Sequence, residues 1–199
     1  MQTTAQPSSV SVSNTKAVSR PWIMLFSRSV LFLLFQALIA LILYASGTKS
    51  AWDESAKYWT FMVTLANVVS LYLLIRLFKL EGKRFWDILR FSRETWKQNL
   101  LWFIGLSIIA MPIVGAPREP LAKAIFGDAI VATNMLFQPL PTWAFIMSFL
   151  FPFTIWFSEL PTYFGYCMPR LSTQINGWLA WFIASFFLAA QHMFRVISK

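Results

Sequence analysis

The sequence predicts an all-α fold: a polytopic membrane helical bundle of about five transmembrane helices plus one interfacial amphipathic helix. Three observations carry that prediction. Hydrophobic residues make up 57% of the 199-residue chain and charged residues only 13%, too few to cover a soluble domain. The charges are clustered, which leaves long intervals with almost none. Five of those intervals reach or approach the roughly 20 residues that an α-helix needs to cross the hydrocarbon core.

The elements follow in chain order. Residues 1–20, "MQTTAQPSSVSVSNTKAVSR", are polar and rich in Ser and Thr, and are expected to form a flexible cytoplasmic tail. They do not form a cleavable signal peptide, because the apolar run behind them is too long for an h-region and lacks a small-residue cleavage site. Residues 21–199 are expected to form a single transmembrane domain. Its spans are about 21–46, opening with Pro21 and Trp22, then 58–80, then 99–114 with Pro112 near its end, then 142–171, and finally 178–197. Trp22, Trp59, Trp102, Trp143, Trp178 and Trp181 lie near the proposed ends, where an aromatic belt would sit. Between the second and third spans, Phe85, Ile88, Leu89, Ser92 and Trp96 recur at helical spacing. Arg84, Asp87, Arg90, Arg93, Glu94 and Lys97 take most of the other positions, so this stretch is expected to lie as a helix in the head-group plane.

The formal charge of +9 comes from bases that mostly flank apolar segments. That placement fits membrane lipid with anionic head groups and topology signals, and no nucleic-acid partner is expected. Lys79, Lys83, Arg84, Arg90, Arg93 and Lys97 put the second loop on the cytoplasmic side, and the N-terminus with it. Arg195 and Lys199 run against this rule, since they would fall outside. Cys167 is the only cysteine, which excludes an intrachain disulfide and a zinc finger. No signal of oligomeric state is present.

Of the eight acids, only Glu159 lies inside a predicted span, where an ionisable group costs on the order of 3 kcal/mol. Glu159, Thr162, Tyr163, Tyr166 and Arg170 follow at offsets 0, 3, 4, 7 and 11, one polar stripe that would face a protein interior or a wet cavity. Pro161 is expected to kink the helix beside Glu159. His192, the only histidine, lies in the last span. Glu159 sits 11 residues from Arg170, roughly 16 Å along a helix, and His192 sits 14 residues from Trp178, roughly 21 Å. Two antiparallel helices would let the acid and the imidazole meet in the middle third of the membrane. Each residue alone also has a plainer reading, as a protonated packing group, an ion-pathway residue or a histidine bonded to a helix carbonyl.

The segment "ELPTYFGYCMPRL" resembles the first motif of the CPBP intramembrane proteases, which include CAAX prenyl endopeptidases and bacteriocin self-immunity relatives. That motif begins with two glutamates, then three residues, an arginine and a glycine, often followed by Tyr-x-x-Pro-Arg-Leu. Glu159, Gly165, Tyr166, Pro169, Arg170 and Leu171 match it, whereas Leu160 and Phe164 stand at its second glutamate and its arginine. "LAAQH" resembles the second motif, Phe-x-x-x-His, at His192. The resemblance covers about 142–194 and implies hydrolysis of a prenylated or membrane peptide in a bacterial plasma membrane. Glu159 would activate water, and His192, with Glu159, would help hold a divalent metal, zinc by preference, or His192 would stabilise the oxyanion. The family's second histidine on a later helix has no counterpart here. The chain is therefore expected to be C-terminally truncated and inactive by itself. The alternatives are a non-catalytic relative acting in bacteriocin immunity by binding, and a transporter using Glu159.

Overall fold

The computed structural model of the chain describes residues 10–88, 94–128, 130–131, 134 and 138–197. The fold is all-helical, 84% helix, with no strand among the described residues. Two compact units are present: residues 1–85 with 142–199, and residues 86–141.

In the first unit, α1 (Val10–Ala45) starts inside the stretch expected to be a flexible tail, so residues 10–20 are corrected from tail to helix. Their Ser, Thr, Asn and Val hid the helix. These residues are only weakly disfavoured in a helix, by some tenths of a kcal/mol each. Pro21 lies within α1 instead of opening it. It is buried together with Met24, Leu25, Arg28, Gln36 and Ala40, at offsets 3, 4, 7, 15 and 19 from Pro21, which define the inward face.

Gly47 ends α1 at positive φ, with Thr48 N–H on the Leu43 carbonyl and Gly47 N–H on that of Tyr44, a Schellman closure. The short α2 (Ala51–Ser55) and a 3₁₀ turn lead into α3 (Trp59–Leu80). Gly82 closes α3 in the same way, with Lys83 N–H on Phe78 and Gly82 N–H on Lys79.

The chain returns to this unit with α6 (Thr142–Ser148) and α7 (Phe151–Leu160). A π-helical segment, Pro161–Cys167, follows, then the single turn α8 (Met168–Leu171) and α9 (Gly177–Ile197). Helix α3 packs on α7 and on α1, and α9 packs on α1 and the π-helical segment. Polar pairs pin α3 to its neighbours: Thr60 Oγ1 to Ser148 Oγ at 2.6 Å, and Asn67 Nδ2 to Thr154 Oγ1 at 3.1 Å. The expected kink is corrected in place. A 44° bend separates α6 from α7, around Phe149 and Leu150, whereas the chain passes Pro161 as a π-helix.

The second unit holds α4 (Trp96–Gly115), none of whose residues is buried, and α5 (Arg118–Phe126), with Lys123 Nζ on Glu119 Oε1 at 2.8 Å. One α-helix over 84–97 is also corrected. Phe85–Ile88 form a 3₁₀ turn and Glu94–Thr95 a turn before α4, while 89–93 lie outside the described residues.

Among the described residues, three stretches are long and apolar enough to cross a membrane: Val18–Ala45, Ala51–Leu80 and Trp96–Phe126. A fourth arises if the bent pair Thr142–Ser148 and Phe151–Leu171 counts as one. They mark an integral membrane protein.

Candidate functional site

Three helices of the first unit converge on one carboxylate oxygen. Glu159 comes from the last turn of α7, His192 and Gln191 come from α9, and Arg28 comes from the inward face of α1. His192 Nε2 lies 3.3 Å from Glu159 Oε1. Gln191 Nε2 donates to the same oxygen in a close hydrogen bond. Arg28 Nη2 stands 3.9 Å from it, near enough for charge attraction and too far for a hydrogen bond.

Gln191 is the hub of this cluster. Its Oε1 accepts from Arg28 Nε at 2.9 Å and from the Tyr163 hydroxyl at 3.1 Å, while its Nε2 serves the carboxylate. Arg28 also donates from Nη1 to Ser158 Oγ at 3.1 Å. Arg28, Ser158 and Tyr163 are fully buried, and the Glu159 side chain is 12% exposed. The His192 side chain is 46% exposed, so the site opens on its imidazole side. A buried carboxylate beside a buried guanidinium keeps the cluster neutral as a whole, the condition under which two ions can leave water.

The polar stripe divides. Tyr163 reaches the Glu159 cluster through Gln191, and the Thr162 hydroxyl turns back to the Ser158 carbonyl at 2.5 Å. Tyr166 and Arg170 instead bind Glu81, just beyond α3. Arg170 Nε donates to Glu81 Oε1 at 2.9 Å, Nη2 makes a close contact with Oε2, and the Tyr166 hydroxyl donates to Oε1 at 3.2 Å. The guanidinium lies 3.8 Å from the Tyr166 ring centre and 4.9 Å from that of Phe78. Burial by itself would raise the Glu81 carboxyl. The hydrogen bonds and charge of Arg170, with the Tyr166 hydroxyl, outweigh it and hold the group below the usual carboxylate range.

A zinc ion does not fit these donors. A catalytic zinc takes three protein ligands, and among the described residues no three His, Cys, Asp or Glu side chains gather. Glu159 Oε1 is already engaged by Gln191 and His192 and faces the Arg28 cation, which would repel a second positive charge. Cys167 is buried and free, and makes no part of this cluster.

No family model, curated protein or solved structure matches the chain.

Sequence reasoning brought Glu159 and His192 together but missed Arg28, Ser158 and Glu81, and gave Gln191 no role. Arg28 carried a usable signal. The insertion cost that singles out Glu159 applies equally to an arginine inside "MLFSRSVLF".

Proposed function

We propose that this chain is a CPBP-type intramembrane endopeptidase homologue whose Glu159 and His192 move the protons of peptide-bond hydrolysis. The observation that carries the reading is the 3.3 Å contact between Glu159 Oε1 on α7 and His192 Nε2 on α9, a helix that packs on α1 and on the π-helical segment following α7. Glu159 takes a proton from water, and His192, on the open side, relays a proton to the departing amine. The half-exposed imidazole gives a membrane-anchored peptide a lateral approach. Alternating access of the transporter kind has less support, because the sequence shows no internal repeat.

The topology belongs to the same proposal. Five helices cross a bacterial plasma membrane with the N-terminus in the cytoplasm, α9 being the fifth. The substrate is a prenylated or otherwise membrane-held peptide. The missing metal ligands argue for an inactive chain, and the cleavage assay decides between that expectation and this reading.

The test is cleavage of a prenylated peptide by the full chain in liposomes, read by mass spectrometry. Product formation that falls at least 10²-fold in both Glu159→Gln and His192→Ala is expected, in line with the usual worth of an acid–base group, about 10²–10⁴-fold. Absence of product from the unmodified chain sinks the hydrolytic reading. Protection of cells against a bacteriocin that survives both substitutions would favour the binding relative instead.

A further inference from the structure

We infer that Arg28 polarises the scissile carbonyl and holds the oxyanion, an assignment that rests on the hydrolytic reading above. Two of its nitrogens are occupied, Nε by Gln191 and Nη1 by Ser158. Nη2 is buried and has no hydrogen-bond partner among the described residues. A buried charged donor left without an acceptor is costly, so such a group points to a ligand that supplies one. The fixed Nε and Nη1 bonds hold the guanidinium plane in place, which leaves Nη2 preorganised 3.9 Å from Glu159 Oε1. An acceptor oxygen seated on Nη2 therefore lies beside the carboxylate that handles the attacking water.

Charge balance suits the step. Glu159 removes a proton from water as the water oxygen bonds to the carbonyl carbon, and the carbonyl π pair moves onto its own oxygen. The negative charge passes from Glu159 to that oxygen while Arg28 stays positive, so the buried cluster remains neutral throughout. The C–N bond then breaks, the C=O bond re-forms, and the proton held by Glu159 reaches the leaving amine, directly or through His192. Acid and amine are the products, and nothing else is consumed.

The test uses binding, so it reads the assignment apart from turnover. A prenylated peptide with an anionic phosphonate at the scissile position is compared with its neutral methyl phosphonate ester and with the parent amide, using the full chain in nanodiscs. The unmodified protein should bind the anion at least tenfold tighter than the ester. Arg28→Gln should weaken the anion by about 10²-fold, the usual effect of losing one oxyanion donor, and change the amide by less than threefold. Should Arg28→Gln fail to fold, Ser158→Ala frees only Nη1 and should still cost the anion several-fold against the amide. Equal binding of anion and ester, no measurable binding of the anion, or equal losses for anion and amide in the variants overturns the assignment. Failure of the hydrolytic reading shows separately, as anion selectivity without cleavage. Cleavage without anion selectivity removes Arg28 alone.

Discussion

Gln191 is uncharged, yet three polar groups depend on it. Its replacement by leucine leaves Arg28 Nε and the Tyr163 hydroxyl without their acceptor and takes one donor from Glu159. Each orphaned group costs about 1–3 kcal/mol when buried. Gln191→Leu should therefore destabilise the protein by about 3 kcal/mol, read as a lowered thermal midpoint in detergent. Arg28 and Glu159 should show the coupling of a buried ion pair. Arg28→Met alone strands a carboxylate and Glu159→Leu alone strands a guanidinium, each at about 3–5 kcal/mol, whereas the double substitution should cost clearly less than the sum. Additive losses would mean that the two groups do not pair. The acid and the histidine were legible in the sequence because each is rare inside an apolar run. Arg28 was equally rare but lay on a helix read only for length, and a neutral Gln191 raised no alarm. Which of α1's faces turns inward depends on packing across more than a hundred residues of sequence.

At the scale of elements, Gly82 and Glu81 act as a unit. The positive φ of Gly82 ends α3 at Leu80, which leaves the Glu81 carboxylate at the helix cap where Arg170 and Tyr166 meet it. An L side chain at this φ costs roughly 1–2 kcal/mol, so Gly82→Ala should lower stability by about that amount. The Glu81 contribution depends on pH in one direction. Its folded pKa is depressed, so the contribution is fully present above the unfolded value of about 4.3 and is lost as pH falls through the folded value. Unfolding midpoints of the unmodified protein and of Glu81→Gln should differ near neutrality and converge below that range. Helix positions were readable from apolar runs. The π-helical segment and the bend before α7 were not, since a proline signals a missing N–H without saying whether the chain kinks or takes on an extra residue per turn.

For the whole molecule, the proposal of five crossings turns on α9, and parity tests it. The three long apolar stretches and the bent pair allow up to four crossings among the described residues, and we propose α9 as a fifth. Its 21 residues span roughly 31 Å at 1.5 Å each, about the thickness of the hydrocarbon core. An even number returns the C-terminus to the side of the N-terminus, and an odd number sends it across. The positive-inside rule gives no help at that end, because Arg195 and Lys199 favour the cytoplasm while five crossings place them outside. Packing argues for crossing: α9 lies along α1 and the π-helical segment, and it carries Gln191 and His192 to the level of Glu159. A helix lying on the surface could not bring those residues to a carboxylate held within the bundle. Fusions of a reporter active only outside the cytoplasm should therefore be active after residue 199 and silent before residue 1. Silence at both ends would mean an even number of crossings and would overturn the five-span topology proposed here.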